Sequence, residues 1–176
     1  IRDFPHQLIA SLKNIQEEYY QLPNEEMKKE FFMAKRKAFN GELDRLEMCT
    51  LFIFLNRTCF NGLYRENKKG EFNVPYGGIG YNAKSMKKKL EYYHSKTLLE
   101  HLSNTQIFNL DFEDFMQNAG LNEDDFIFLD PPYDSEFSTY AKNEFTREDQ
   151  KRLAAFLLHH CPAKWMMIIK NTDFIY

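Results

Sequence analysis

The residues of this chain best equipped for chemistry are Asp130, Pro131, Pro132 and Tyr133, which follow the apolar run Phe126, Ile127, Phe128 and Leu129. A short apolar run between polar residues reads as a buried strand. Two prolines then forbid continuation of either a ladder or a helix. A carboxylate, a stiff turn with free carbonyls and an aromatic ring are thereby fixed at the C-terminal end of a strand, where ligands bind in open α/β sheets. That set suits the capture of a planar amine and its methylation. An amine such as adenine's is a poor nucleophile because its lone pair is conjugated into the ring. Hydrogen bonds accepted from its two protons, one by Asp130 and the second by the Pro131 carbonyl, pull the nitrogen toward tetrahedral geometry and localise that pair. A proline nitrogen cannot donate, so the turn presents acceptors where an ordinary turn presents an amide proton. Tyr133 offers a face on which a base stacks. The rest is alignment of a methyl donor in a site closed to water. The bland alternative is a proline-rich strand exit that packs a tyrosine.

The elements that must hold this turn are α/β from Thr105 onward. Gln106 to Leu110 reads as a strand, residues 112–119 as a helical piece ending at Gly120, and Trp165 to Ile169 as another apolar strand. Thr146 and Asp149 form a capping-box-like start for a helix whose apolar face is Leu153, Phe156 and Leu157. Strands alternating with helices imply a parallel, doubly wound sheet. Before Thr105 the pattern is helical: Leu8, Leu12, Ile15 and Tyr19; then Phe31, Ala34 and Ala38 with Met27; then Leu43, Leu46, Cys49, Ile53 and Phe54. These stripes read as core. Residues 56–80 differ. The runs 63–66 and 71–75 flank Asn67-Lys68-Lys69-Gly70, which suggests a β-hairpin. Gly77, Gly78 and Gly80 follow as a turn, then Met86, Leu90 and Tyr93 as a further helix.

A chain of 176 residues, 43% hydrophobic and 16% aromatic, suggests one domain with a real core and excludes a disordered class. It has no apolar run long enough to span a membrane and no signal-peptide pattern. Three scattered cysteines fit a reduced, cytoplasmic protein without a disulfide framework. His159-His160-Cys161 lacks the spacing of metal ligands, so no metal is expected. Residues 57–96 carry nine Lys/Arg against three Asp/Glu, a local balance of +6 in a chain whose net charge is −3. A basic island on an acidic protein is the footprint of a phosphate-contacting face. A solvated lysine-rich helix face is the alternative for Lys87-Lys88-Lys89.

Taken together, these residues resemble the DNA adenine methyltransferase family, the bacterial and phage enzymes that methylate adenine in GATC-like sites. The run from Phe54 through Asn56-Arg57-Thr58-Cys59-Phe60-Asn61-Gly62-Leu63-Tyr64-Arg65, continued by Lys69-Gly70-Glu71-Phe72-Asn73-Val74-Pro75-Tyr76-Gly77, looks like that family's DNA-recognition segment. It is far more specific than Asp-Pro-Pro-Tyr. Residues 137–145 resemble the loop after the catalytic motif, and residues 3–9 the segment whose acid holds the donor's ribose. The resemblance implies catalytic roles for Asp130, Pro131 and Tyr133, and S-adenosylmethionine (SAM) as cofactor, contacted by Asp3, Asp111, Phe112 and Asp130. Asp111 and Phe112 match the pair bordering the donor's adenine; Asp3 matches the ribose ligand, a role that suits an acid. Arg65 matches a base-reading arginine, since a guanidinium contacts guanine O6 and N7 together. A phosphate contact or a salt bridge with Glu66 or Glu71 is the alternative for it. Leu63 and Pro75 match neighbours that meet DNA, and Arg57, Asn67, Lys68 and Lys69 are expected beside them.

The implied fold is a Rossmann-like methyltransferase sheet with an inserted helical and β-hairpin recognition region. Residues 1–22 and 97–176 would form the catalytic domain and residues 23–96 the recognition region. The family's glycine-rich motif for the methionine end of SAM would stand just before Ile1, and its later strands after Tyr176, so an incomplete sheet is expected. Pro5 stands where an asparagine is usual. The expected protein is a monomer on double-stranded DNA, possessing no membrane partner. Methylation of RNA or of a protein amide, and a SAM-free module that only binds DNA, are the competing readings.

Overall fold

Caps and apolar spacing set the helices of the first half. In the computed structural model, which describes residues 1–78, 86–133 and 145–175, helix α1 (Pro5–Gln21) opens on a proline. At that position the missing N–H has no helical partner to lose. Its buried residues include Leu8, Leu12, Ile15 and Tyr19, the stripe expected from the sequence. Helix α2 (Glu25–Phe39) starts where the Asn24 side chain accepts the Met27 amide at 2.9 Å. Helix α3 (Arg45–Thr58) starts on a reciprocal Asp44–Glu47 capping box.

The stripe expected on α2 holds only at Phe31, which is half-buried and packs against the core. Phe32 is fully buried, whereas Met27, Ala34 and Ala38 are exposed. Size decides this: a phenylalanine removes far more apolar area from water than an alanine, and the Phe32 ring packs against Tyr76 at 5.3 Å between centroids. Phe32 joins Ile15, Tyr19, Leu51, Phe54, Leu55, Phe72 and Val74 in one core cluster. A second cluster of Leu8, Leu12, Met86 and Leu90 joins α1 to α4 (Lys87–Tyr93). Helix α5 (Lys96–Ser103) follows, capped by the Ser95 hydroxyl.

The expected hairpin is present as short antiparallel contacts and not as a continuous ladder. Bridges join Glu66 to Phe72 and Cys59 to Tyr76. The Asn73 amide donates to the Arg65 carbonyl at 3.0 Å, and the Asn67 amide to the Glu71 carbonyl at 2.9 Å. Gly70 closes the turn on the Asn67 carbonyl at 2.9 Å with φ of 80°, a conformation that suits glycine. The Gly80 part of the expected turn and Lys84 lie outside the described residues.

The chain divides into two units, Ile1–Gln106 and Ile107–Tyr176. In the second, α6 (Phe112–Asn118) is followed by β1 (Phe126–Leu129), α7 (Arg147–His159) and β2 (Lys164–Met167). The two strands pair in parallel with Phe126 opposite Lys164 and Leu129 opposite Met167. The Thr146–Asp149 capping box starts α7 as expected. Leu153, Phe156 and Leu157 of α7 pack with Met116 against Ile127, Leu129 and Met167. This βαβ arrangement is a mixed helix and strand fold compatible with an incomplete methyltransferase sheet.

Two strand expectations need correction. Residues 106–110 form no ladder among the described residues; Ile107, Phe108 and Leu110 are 65%, 54% and 57% exposed. An apolar run becomes a strand only where a neighbour pairs with its backbone. The strand before Asp130 is buried on one face only. Ile127 and Leu129 face α7, while Phe126 and Phe128, pointing the other way, are exposed, as are Trp165 and Met166 of β2. Period-2 alternation produces this split in β1, where one side alone is covered; β2 does not follow it, since the neighbours Trp165 and Met166 are both exposed.

Candidate active site

The Asp-Pro-Pro-Tyr turn is tethered on both sides. Upstream, the Ile168 amide donates to the Leu129 carbonyl at 2.9 Å, extending the parallel pairing to the last residue before Asp130. Downstream, the Gln150 amide nitrogen donates to the Pro132 carbonyl at 2.7 Å. Asp130 is exposed, and Tyr133 is 41% exposed. No described side chain pairs with the Asp130 carboxylate, which is available as an acceptor. The enclosure that the chemistry calls for is not provided by the described residues around the turn. Residues 137–145, read as the loop after the motif, lie outside the described residues apart from Phe145.

Asp111 and Phe112 begin α6. The Asp111 carboxylate caps that helix by accepting the Glu113 amide at 3.0 Å, and it accepts from Arg152 of α7 at 2.8 Å. The Arg152 guanidinium beside Asp111 is the main reason its carboxyl is held below the usual range. Arg152 also meets Glu113 at 3.5 Å and Asp149 at 3.2 Å, and lies over the Phe112 ring at 4.7 Å. Phe145 meets that ring at 5.7 Å. In the first unit, Asp3 accepts from Arg2 at 2.9 Å and from Arg45 at 3.0 Å. The Arg2 hydrogen bond is the larger cause of its lowered pKa. Within the second unit, the Asp111 carboxylate and the Phe112 ring have the chemistry that fits SAM, whose ribose presents hydroxyls and whose base presents a flat ring and an amine; Asp3 is a separate ionised carboxylate in the first unit.

The hairpin has two distinct sides. Phe72 and Val74 are buried; Leu63, Arg65, Lys68, Lys69 and Pro75 are exposed. Arg65 donates through Nε to the Asn73 Oδ1 at 2.8 Å, which fixes the plane of its guanidinium on the exposed side. Asn67 serves the turn itself: its Oδ1 accepts the amides of Lys69 and Glu71, and its Nδ2 donates to Glu71 at 2.7 Å. Arg57 is elsewhere, half-buried in the last turn of α3 and lining a small cavity with Gln16, Tyr19 and Met86. The Pro75 carbonyl is held by the Phe60 amide at 2.9 Å.

Sequence reasoning missed what carries the hairpin. Asn40, just past α2, pairs with Phe72 as a strand neighbour would: Nδ2 donates to the Phe72 carbonyl at 3.0 Å, and Oδ1 accepts its amide at 2.8 Å. Arg36 donates to the Val74 carbonyl at 3.0 Å. An asparagine after a helical stripe signals a C-cap; nothing local signals a partner 32 residues away. Gln150 and Arg152 likewise stand one helical turn inside a recognised cap, with no motif of their own.

The sequence model of the family described as D12 class N6 adenine-specific DNA methyltransferase matches residues 1–176. The chain belongs to this family. It is 39% identical to the Type II methyltransferase M.MjaIII of Methanocaldococcus jannaschii over 85% of this chain and 52% of that protein. It is 37% identical to the Type II methyltransferase M.CviBI of Paramecium bursaria Chlorella virus NC1A, over 75% of this chain and 48% of that protein. It is 35% identical to the DNA adenine methylase of Haemophilus influenzae, over 71% and 43% respectively. The chain thus spans about half the length of these curated relatives. Among the described residues, no helix is long and apolar enough to cross a membrane, and no three His, Cys, Asp or Glu side chains cluster as metal ligands would.

Proposed function

We propose that this chain contributes the catalytic turn and the target-recognition hairpin of a site-specific DNA adenine methyltransferase. The observation that carries the reading is the Asp130 carboxylate, unpaired among the described residues, at the C-terminal end of a parallel strand and followed by two prolines that have no amide proton. A target adenine flipped from the duplex stacks on Tyr133. Asp130 accepts one amine proton through a hydrogen bond and the Pro131 carbonyl accepts the other. The nitrogen lone pair then points out of the ring plane; the proton that the amine loses once methylated passes to solvent, and Asp130 need not keep it. SAM, when bound, supplies a methyl group activated by a positively charged sulfur. Asp3, Asp111 and Phe112 would hold it through ribose and adenine, with Asp130 contributing at its edge.

Recognition falls to the exposed side of the hairpin. Arg65, oriented by Asn73, reads a guanine edge. Leu63 and Pro75 pack on the duplex, and Lys68 and Lys69 meet phosphates. Asn67 keeps the turn that presents the two lysines, and Arg57 supports the same region from α3. We assign residues 1–22 and 97–176 to donor binding and catalysis and residues 23–96 to recognition, a division by chemistry and not by packing. The target is a GATC-like site in double-stranded DNA, bound by a cytoplasmic monomer. Two relatives are named Type II methyltransferases, which supports a role beside a restriction enzyme.

The test is incubation of the protein with SAM carrying a labelled methyl group and duplexes that contain or lack GATC. Label on adenine in the GATC duplex alone is expected. Label on adenine in other contexts keeps the chemistry and removes the specificity. DNA binding without any label leaves a reader of DNA and overturns the enzymatic reading.

A further inference from the structure

A turn over Asp130-Pro131-Pro132-Tyr133 would close by the Tyr133 amide donating to the Asp130 carbonyl. No such bond is made among the described residues, and neither Pro131 nor Pro132 has an amide hydrogen to give in its place. The Pro132 carbonyl is instead bonded by Gln150 Nε2 at 2.7 Å. Gln150 is 6% exposed, the one buried polar side chain among the described residues of the second unit. It stands on α7 just after the Thr146–Asp149 capping box, one helical turn before Leu153 and two before Leu157, on the face that packs against β1. The cap fixes where the helix starts, the leucines fix how it lies on the strand, and Gln150 is thereby delivered to the turn.

The bonded carbonyl belongs to the peptide plane linking Pro132 to Tyr133. Fixing that plane fixes the direction in which the Tyr133 side chain leaves the backbone. It also engages the Pro132 oxygen, so the neighbouring Pro131 oxygen is the acceptor left to the amine. We propose that Gln150 is a positioning residue for methyl transfer, acting through the Pro132–Tyr133 peptide; this rests on the functional reading above. It touches neither substrate nor donor. Its effect belongs to the reaction rate and not to binding, because a carbonyl and ring misplaced by about 1 Å can cost about 10²-fold in rate.

The experiment compares the active full-length protein with Gln150→Met, which keeps side-chain length and removes the donor, and Gln150→Glu, which keeps shape and replaces the donor by an acceptor. Single-turnover methyl transfer to a labelled duplex, Kd for that duplex and helical circular dichroism are measured for each. The expected result is a rate lower by about 10²-fold in both variants, with duplex Kd within about threefold of the parent and unchanged helical signal. Parental rates in Gln150→Met overturn the positioning role, as does a fall in rate that merely follows loss of helical signal in both variants, which assigns Gln150 to folding alone. A parent protein that transfers no label to adenine removes the functional reading itself, a failure visible before any variant is made.

Discussion

The carboxylates of this chain fall into two kinds according to what faces them. Among the described residues Asp130 is unpaired, whereas Asp111 and Asp3 are paired with arginines. Asp130→Ala removes one of two acceptors for the amine and leaves the recognition hairpin untouched. Methyl transfer is expected to fall by about 10²–10³-fold with duplex affinity largely retained; equal loss of both would give Asp130 a binding role instead. Asp111 has a folded pKa below its ordinary value of 3.8, chiefly because of Arg152. A depressed carboxylate stabilises the fold above its unfolded pKa, and that contribution disappears as pH falls through the folded value. Arg152→Ala narrows the gap between the two values, leaving the part due to the backbone amides at the start of α6. The parent should therefore melt higher than the variant at neutral pH, and the two curves should converge below 3.8. The difference is small because the pair is exposed. Melting curves that stay parallel throughout would show that Arg152 acts by packing on Phe112.

Elements are held here by contacts that turn on single backbone positions. Tyr76 bridges Cys59, and at Gly77 an added Cβ would lie 2.7 Å from the Cys59 carbonyl oxygen. Gly77→Ala must push that backbone away, so a loss of about 1–3 kcal/mol is expected in denaturant unfolding. Gly120, where an added Cβ meets nothing within 4 Å, tests the other effect of glycine, its φ of 66°. Gly120→Ala should cost about 1 kcal/mol, from strain alone. A Gly77→Ala chain as stable as its parent would mean that the Cys59 backbone shifts freely. The element scale also shows where pattern reading is sound. The Thr146–Asp149 cap and the α1 stripe needed only local chemistry and spacing, and both stand. The α2 stripe holds at Phe31 and fails at Met27, Ala34 and Ala38, because two phenylalanines side by side leave the buried face ambiguous and the contact of Phe32 with Tyr76 centres it on Phe32.

For the molecule as a whole, charge distribution predicts behaviour that fold does not. The basic balance of residues 57–96 lies in a chain of net charge −3, so DNA binding should depend on this region and weaken as salt rises. Replacing Lys68 and Lys69 together by alanine is expected to lower affinity similarly for all sequences and to reduce the slope of log K against log salt by about 2. An unchanged slope would remove both lysines from the phosphate interface. The sequence by itself determined the Asp-Pro-Pro-Tyr turn after a strand, the hairpin turn, the caps and the family, because each is written in neighbouring residues or in a long specific run. Tertiary structure alone decided that Asn40 completes the hairpin, that Arg152 meets Asp111 and covers Phe112, and that Gln150 holds Pro132. It alone decided which apolar runs are strands, since 106–110 and 126–129 both carry Ile, Phe and Leu and only the second has a pairing partner among the described residues. The physical reason is common to all four: a hydrogen bond or ladder between distant residues depends on where folding brings them, and no short-range pattern encodes the partner.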